Sequence, residues 1–152
     1  MPRQDGDKKP YQGKYPIKNY QKYKGNPNNI IFRSGWELRF MVYCDNNPAV
    51  VQWNSEETVI PYLSPKDNMI HRYFPDFWIK VQTESGFQEC LVEVKPKHQC
   101  KPPVLKKRKT KRFLMEQLTY EVNQAKWAAA EAYCSKNNMR FIVLTEDDLI
   151  HG

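Results

Sequence analysis

The spacing of hydrophobic residues predicts one helix early in the chain and another late in it. Apolar residues recur at nearly helical intervals from Ser34 to about Asp45, and the sequence Asn46-Asn47-Pro48 ends that element. Residues 113–137 have a helical composition, with an alanine-rich AKWAAAEAYC segment at their centre. We expect these two helices to flank whatever sheet the rest of the chain forms.

Runs of β-branched and aromatic residues predict strands around the second helix and before it. Two short runs come first, Val50–Trp53 and Thr58–Tyr62. Tyr73–Val81 and Phe87–Lys95 follow, and the turn residues TESG between them indicate a β-hairpin. Arg140–Leu144 is a further strand after the second helix. The predicted order is αβββαβ, an α/β fold, with one more short helix as an option.

The hairpin predicts that two acidic residues face each other. If Glu84-Ser85 forms a two-residue loop, the register places Asp76 directly opposite Glu93. Lys95 is two residues beyond Glu93 and therefore projects from the same face of the strand. A three-residue loop that includes Gly86 and forms a bulge is the alternative, and it shifts the pairing by one residue.

Facing carboxylates repel each other unless a cation or a shared proton lies between them, so this pair indicates a metal site. Oxygen ligands favour Mg²⁺ or Mn²⁺, and protein-bound magnesium commonly acts on phosphate groups. Two simpler roles remain open. Lys95 could form an ordinary ion pair with Glu93, and Glu37, three residues after Ser34, could cap the first helix.

The charge distribution indicates the kind of binding partner. The formal net charge is +7, but residues 1–29 carry +5 and residues 95–112 carry +9, which leaves −7 for the remainder. Basic segments bind a phosphate backbone by releasing counterions, so nucleic acid is the expected partner. At 152 residues the chain fits one domain, and we divide it into an extended basic N-terminal arm at 1–29 and a domain at 30–152.

Composition also excludes several classes of protein. No apolar run approaches the ~18 residues of a membrane span, and the start MPRQDGDKKP lacks the apolar stretch of a secretory signal, so we expect a cytoplasmic protein. The four cysteines form no CxxC pair, which argues against a zinc finger and favours reduced thiols.

The motif PDF at 75–77 followed by EVK at 93–95 resembles the PD-(D/E)XK nuclease signature. The segments around it, from FRSGWELRF through NPAVVQW to KWAAAEAYCSKNNMRFIVLTED, are similar to the TnsA-type endonucleases over about residues 32–148. This resemblance implies a restriction-endonuclease-like core, with a mixed central sheet flanked by helices. It also implies that the chain hydrolyses DNA phosphodiester bonds with a divalent metal, Mg²⁺ or Mn²⁺.

The same resemblance implies roles for individual residues. The positions that match the family's catalytic residues are Glu37, Asp76, Glu93 and Lys95, and Gln124 or Lys126 is a possible auxiliary on the later helix. The implied metal ligands are Asp76, Glu93 and the backbone carbonyl of Val94, with Glu37 as a further candidate. The basic residues expected to contact DNA are Lys22, Lys24, Lys97, Lys101, Lys106, Lys107, Arg108, Lys109, Lys111 and Arg112.

Within this class, the small size and the basic arm most resemble the head completion nucleases of T-even-type tailed phages. That resemblance implies action on packaged double-stranded DNA during head completion and head–tail joining. It also implies phage head or neck proteins as partners, no membrane, and a location in the host cytoplasm with incorporation into the virion as an option. The alternatives are a non-catalytic DNA-binding connector of the phage neck and a junction-resolving endonuclease.

Overall fold

The computed structural model describes residues 12–151, with the backbone alone described at residue 151, so residues 1–11 of the predicted arm lie outside the described residues. The helices are α1 (Gly35–Asn46), α2 (Lys111–Lys136) and α3 (Glu146–His151). The strands are β1 (Gly13–Lys14), β2 (Ile31–Phe32), β3 (Val50–Ser55), β4 (Ile60–Ser64), β5 (Met69–Tyr73), β6 (Phe77–Thr83), β7 (Gly86–Val94) and β8 (Met139–Leu144). Two short 3₁₀ helices lie at Tyr20–Lys22 and Lys97–Cys100.

A four-stranded mixed sheet in the order β3-β6-β7-β8 forms the centre of the fold. The first three strands are antiparallel, whereas β8 runs parallel to β7. A parallel connection needs a crossover, and α2 supplies it. The sequence of elements α1, β3, β6, β7, α2 and β8 confirms the predicted αβββαβ order, and α3 is the optional extra helix.

One strand prediction is wrong. The segment Tyr73–Val81 was expected to be continuous, but β5 ends at Tyr73 and β6 begins at Phe77. Pro75 lies in the break, where its missing N–H and fixed φ interrupt a ladder. Strands β4 and β5 instead form a separate two-stranded hairpin that contacts α2. The break frees the chain around Asp76 from the sheet.

The β6–β7 hairpin has the register that the two-residue loop predicts. Thr83 pairs with Gly86, so Glu84 and Ser85 alone form the loop, and the three-residue alternative is excluded. Gly86 adopts φ of +125°, a conformation that side chains rarely allow. The ladder continues to the pair Phe77 and Val92, one position before the two acidic residues.

Successive residues of β6 and β7 point to opposite faces of the sheet, and each face has its own core. On the α1 side, Phe40 packs with Phe77 and Val92. On the α2 side, Trp78 and Leu91 pack with residues of α2 and of the β4–β5 hairpin. Asp76 and Glu93 have the parity of Trp78 and Leu91, so the acidic pair faces α2.

The described part of the N-terminal segment packs onto the domain. Tyr15 and Tyr23 are buried in the same core as Trp53. The buried Asp45 carboxylate accepts hydrogen bonds from the Tyr15 hydroxyl at 2.6 Å and from the backbone N–H of Lys18 at 2.8 Å. These tyrosines therefore pin the segment to the domain instead of stacking on bases. The division of the chain between residues 29 and 30 stays a prediction.

Two further features concern the chain as far as it is described. Within residues 12–151, no helix is long and apolar enough to cross a membrane. All four cysteines are free thiols: Cys44, Cys90 and Cys134 are buried and Cys100 is partly exposed.

Candidate active site

Asp76 occupies the turn that leads from the break after β5 into β6. Its carboxylate accepts a hydrogen bond from the backbone N–H of Val94 at 2.7 Å, so the side chain reaches across to β7. The backbone carbonyl of Asp76 accepts a bond from the N–H of Glu56 at 3.1 Å. Since Phe77 pairs with Val92, the next position of the register places Asp76 across from Glu93. The structure brings the two predicted carboxylates together.

Glu93 is buried, with 5% of its surface exposed. The Tyr73 hydroxyl donates a hydrogen bond of 2.9 Å to one of its carboxylate oxygens. The other oxygen lies 3.6 Å from the Lys95 ammonium, which is an ion pair at the limit of direct contact. The predicted ion pair therefore exists, and its looseness leaves Lys95 able to reach a substrate.

The acidic pair is electrostatically unfavourable as it stands. Burial raises the pKa of Asp76 well above its usual range, and the facing Glu93 raises it further. The Val94 N–H and the Lys95 ammonium lower the pKa without offsetting this effect. Burial and the Glu93 charge also raise the pKa of Tyr73, which stays a hydrogen-bond donor. A cation placed between the two carboxylates would relieve the repulsion.

Glu37 caps α1. The Ser34 hydroxyl accepts a hydrogen bond from the Glu37 N–H at 3.1 Å, and the Glu37 carboxylate accepts one from the Arg33 N–H at 3.3 Å. Its position is also close enough to the site to raise the pKa of Asp76, while burial raises the pKa of Glu37 itself. Glu37 thus has the structural role that the sequence left open and borders the acidic pair.

The donor set fits a hard divalent cation. Carboxylate oxygens of Asp76 and Glu93 face each other, and Mg²⁺ commonly binds one or two carboxylates and keeps several waters. Within residues 12–151, no three His, Cys, Asp or Glu side chains meet in a preformed metal cluster. In this arrangement the side chains of Asp76 and Glu93 would supply two ligands and the Val94 carbonyl, water and phosphate the others, while Glu37 as a ligand stays a prediction.

The two candidate auxiliary residues of α2 lie in different places. Lys126 faces the acidic pair: burial and the nearby Lys95 lower its pKa, and the charges of Glu93 and Asp76 raise it. Its ammonium lies 5.7 Å from the centre of the Tyr73 ring. Gln124 is exposed and lines a separate groove beside the β4–β5 hairpin. Of the two, Lys126 is the one that the fold directs at the site.

Three residues at the site were absent from the sequence prediction. Tyr73 holds Glu93, and Arg33 forms a close ion pair with Glu56. The hydrogen bond to Glu56 raises the pKa of Arg33, and the nearby charges of Glu37 and Asp76 raise it further. Glu56 adopts φ of +55°, an uncommon conformation for a residue other than glycine. No sequence signal distinguishes Arg33 or Glu56, whereas Tyr73 is marked in the sequence by its place two residues before Pro75 of the PD motif.

The ten predicted DNA contacts fall into two groups. The Lys22 ammonium donates hydrogen bonds to the backbone carbonyls of Cys44, Asp45 and Asn47, at 2.6, 3.1 and 3.0 Å. No donor is left for a phosphate, so we no longer expect Lys22 to contact DNA. The other nine residues are exposed; Lys97 and Arg112 among them pair with Asp147 and Glu116.

Comparison with known proteins identifies the family. The model of the TnsA-like endonuclease N-terminal domain matches residues 47–146, which include Asp76, Glu93 and Lys95. The chain belongs to this family. A similar curated protein is the head completion nuclease of Enterobacteria phage T4, which is 42% identical over 143 residues, covering 91% of this chain and 93% of the phage T4 protein. No solved structure gives a significant match to the chain.

Membership confirms the predicted nuclease superfamily and the restriction-endonuclease-like fold class. The chain is therefore a nuclease of a class that acts on DNA and generally uses divalent metal. The family match begins at residue 47, so it includes Asp76, Glu93 and Lys95 but not Glu37. The roles of the individual site residues remain predictions at this point.

Proposed function

We propose that this chain is a Mg²⁺-dependent deoxyribonuclease, with Asp76, Glu93 and Lys95 at its catalytic centre. The observation that carries the proposal is the buried pair of facing carboxylates. Burial raises the pKa of Asp76, the charge of Glu93 raises it further, and a divalent cation would relieve the repulsion. A structural salt bridge would not need two like charges at one point. Mn²⁺ has similar ligand preferences and would serve as an alternative ion.

In this proposal, Asp76, Glu93 and the Val94 carbonyl would hold the metal. A Mg²⁺ bound there would polarise the phosphate and lower the pKa of a coordinated water. Lys95 stabilises the negative charge that grows on the phosphate in the transition state. Tyr73 holds one oxygen of Glu93 and so orients that carboxylate. Lys126 adds a second positive charge from α2, near Asp76, Glu93 and Lys95.

The biological setting is also a proposal. The phage T4 relative is named a head completion nuclease, and the similarity extends over nearly the whole of both chains. We propose that this chain acts on double-stranded phage DNA during head completion and head–tail joining, in the host cytoplasm or within the virion. Head and neck proteins are the expected partners. The exposed basic segment before α2 is consistent with a DNA substrate.

The test is cleavage of linear and supercoiled DNA by the full chain with Mg²⁺, Mn²⁺, Ca²⁺ or EDTA. We expect cleavage with Mg²⁺ and Mn²⁺ and none with EDTA. Equal cleavage in EDTA would contradict the metal-dependent mechanism. DNA binding without cleavage under every metal condition would favour the non-catalytic connector. A strong preference for four-way junctions over linear duplex would favour the junction-resolving enzyme.

A further inference from the structure

A groove of about 690 Å³ lies between the segment that follows β7 and the first half of α2. Its volume is in the range of ~300–1,000 Å³ that small-molecule sites occupy. The residues that give the groove its chemistry are His98, Lys101, Lys111, Met115, Tyr120 and Asn123. None of them belongs to the acidic pair, and we call this groove the α2 groove.

Asn123 indicates that the α2 groove binds a ligand. Asn123 is 5% exposed and lines the groove, and its amide, which opens into the groove, makes no hydrogen bond to any other described residue. A polar group without a protein partner in a largely buried residue is left to bond a ligand or water in the groove. An amide offers both a donor and an acceptor, which is the pairing that a nucleobase edge presents.

The charges that line the α2 groove favour an anion. Lys101 and Lys111 form no ion pair within the described part of the chain, whereas Arg112 is paired with Glu116. The first turn of α2 contains basic residues and no acidic one, the reverse of what the helix dipole favours. An anion bound at this end would compensate both the unpaired lysines and the dipole.

The remaining lining of the α2 groove suits a flat apolar group. Tyr120 is half-buried, and Met115 is 61% exposed at the rim. Aromatic side chains stack on nucleobases irrespective of base identity. The α2 groove therefore combines a stacking surface, a buried amide and two free cations, which together match one nucleotide.

Two observations place one end of the α2 groove toward the acidic pair. Asn123 lies about one helical turn before Lys126 on α2, so both project from the same side of the helix. Burial raises the pKa of Cys100, which directly precedes the lining residue Lys101, and the thiol is close enough to Lys95 and Glu93 for their charges to change that pKa. A nucleotide in the α2 groove would be adjacent to a phosphate held at the acidic pair.

We propose that the α2 groove binds one unpaired nucleotide of the DNA substrate, next to the bond that is cut. The base stacks on Tyr120 and pairs its edge with the Asn123 amide, while its phosphate contacts Lys101 and Lys111. In a duplex the bases are paired and stacked, so only an unpaired base reaches a buried amide. This inference rests on the proposed nuclease function and specifies its substrate: DNA with a single-stranded extension or an unpaired stretch.

The test is fluorescence anisotropy in EDTA, which prevents cleavage, with the full chain and two labelled DNAs. One DNA is a blunt duplex, and the other is the same duplex with a short single-stranded extension. We expect the wild type to bind the extended DNA more tightly. Asn123→Ala should weaken that binding about tenfold and leave the blunt duplex unaffected, since it removes the partner of a buried hydrogen bond.

Two further variants provide a second test of the Asn123 amide and a negative control. Asn123→Leu removes the amide at similar volume, so it tests the same hydrogen bond if the alanine variant folds poorly. Gln82→Ala removes an exposed amide at the far end of β6 and should behave as wild type. The proposal is overturned if the wild type shows no preference, if both Asn123 variants keep it, or if they weaken both DNAs equally. Absence of metal-dependent cleavage would refute the nuclease function and not this preference.

Discussion

Asp76 and Glu93 face each other at the end of a hairpin, and neutral donors hold their carboxylates in place without cancelling their charge. The Val94 N–H fixes Asp76, and the Tyr73 hydroxyl fixes Glu93. Each bond orients an oxygen, but the only cation in contact, Lys95, remains 3.6 Å from Glu93 among the described residues. The site is thus arranged to bind a cation, at a cost in stability when none is bound.

That cost predicts how Asp76→Asn affects stability. Because the pKa of Asp76 is raised in the folded protein, its protonated form favours folding, and stability falls as the pH rises through that raised pKa. Without metal, the asparagine variant should therefore unfold at a higher temperature than the wild type at pH 8. The difference should shrink toward pH 4, near the ordinary aspartate pKa of ~3.9. Thermal unfolding in EDTA measures this, and an unchanged or lower melting temperature at pH 8 would contradict it.

Lys95→Ala separates catalysis from metal binding. We propose that Lys95 acts on the phosphate and not on the metal, so its removal should lower the cleavage rate by about a hundredfold, a size typical for loss of one group that stabilises transition-state charge. Metal affinity should not fall, since a nearby positive charge is removed. Calorimetric titration with Mn²⁺ checks this, and a large loss of affinity would show that Lys95 organises the ligands instead.

The hairpin of β6 and β7 was the element most predictable from sequence. The turn residues TESG predicted the hairpin but left a two-residue and a three-residue loop open, and the two-residue loop of the structure is the one that places Asp76 opposite Glu93. Such local rules apply because the loop and the ladder involve neighbouring residues only. Tyr73 was different: the sequence pattern predicted one strand through Tyr73 and Phe77, whereas the strand is broken between them, at Pro75.

Contacts between distant elements were less predictable. Whether Gln124 or Lys126 faces the site depends on how α2 is rotated about its axis. Helix geometry fixes the angle between the two residues, but the sequence does not determine which side of the helix faces the sheet. Likewise, Arg33 reaches Glu56 because α1 and β3 pack together in the fold. Residues gathered by packing, and not by a strand or a turn, were therefore the ones missed.

The basic segment before α2 predicts how DNA binding depends on salt concentration. Lys106, Lys107, Arg108 and Lys109 are exposed there, and Lys111 and Arg112 begin the helix. Neutralising all six should weaken duplex binding more at low salt than at high salt. Each phosphate contact contributes about 0.9 to the slope of log affinity against log salt, so the slope should flatten visibly. Anisotropy titrations from low to high salt measure the slope, and an unchanged slope would exclude phosphate contacts by this segment.

At the scale of the whole molecule, the N-terminal segment is bound to the domain through one buried acid. Asp45 accepts hydrogen bonds from Tyr15, Lys18 and Asn19, while Tyr23 packs against Trp53 at a ring distance of 4.8 Å. Burial would raise the pKa of Asp45, but these bonds lower it below its usual range. The segment thus contributes to folding as well as to positive charge.

Asp45→Ala should therefore destabilise the fold by about 3 kcal/mol, because several hydrogen bonds to a charged group are lost together. Asp45→Asn keeps the shape and part of the bonding, so its loss should be smaller. Denaturant unfolding gives both values. Equal stability of the alanine variant and the wild type would mean that residues 12–22 do not depend on this contact.

The most direct test of the whole account is the cleavage rate of Glu93→Gln at saturating Mg²⁺, measured beside DNA binding in EDTA. Glutamine keeps the size of the side chain and can accept the Tyr73 bond, but it removes the charge that would hold the metal. Glu89→Gln is the matched control, since Glu89 lies on the same strand and accepts a bond from the Trp78 indole at 3.0 Å. We predict at least about a hundredfold slower cleavage for Glu93→Gln with unchanged DNA binding, and wild-type cleavage for the control. Wild-type cleavage by Glu93→Gln would contradict the assignment of the active site.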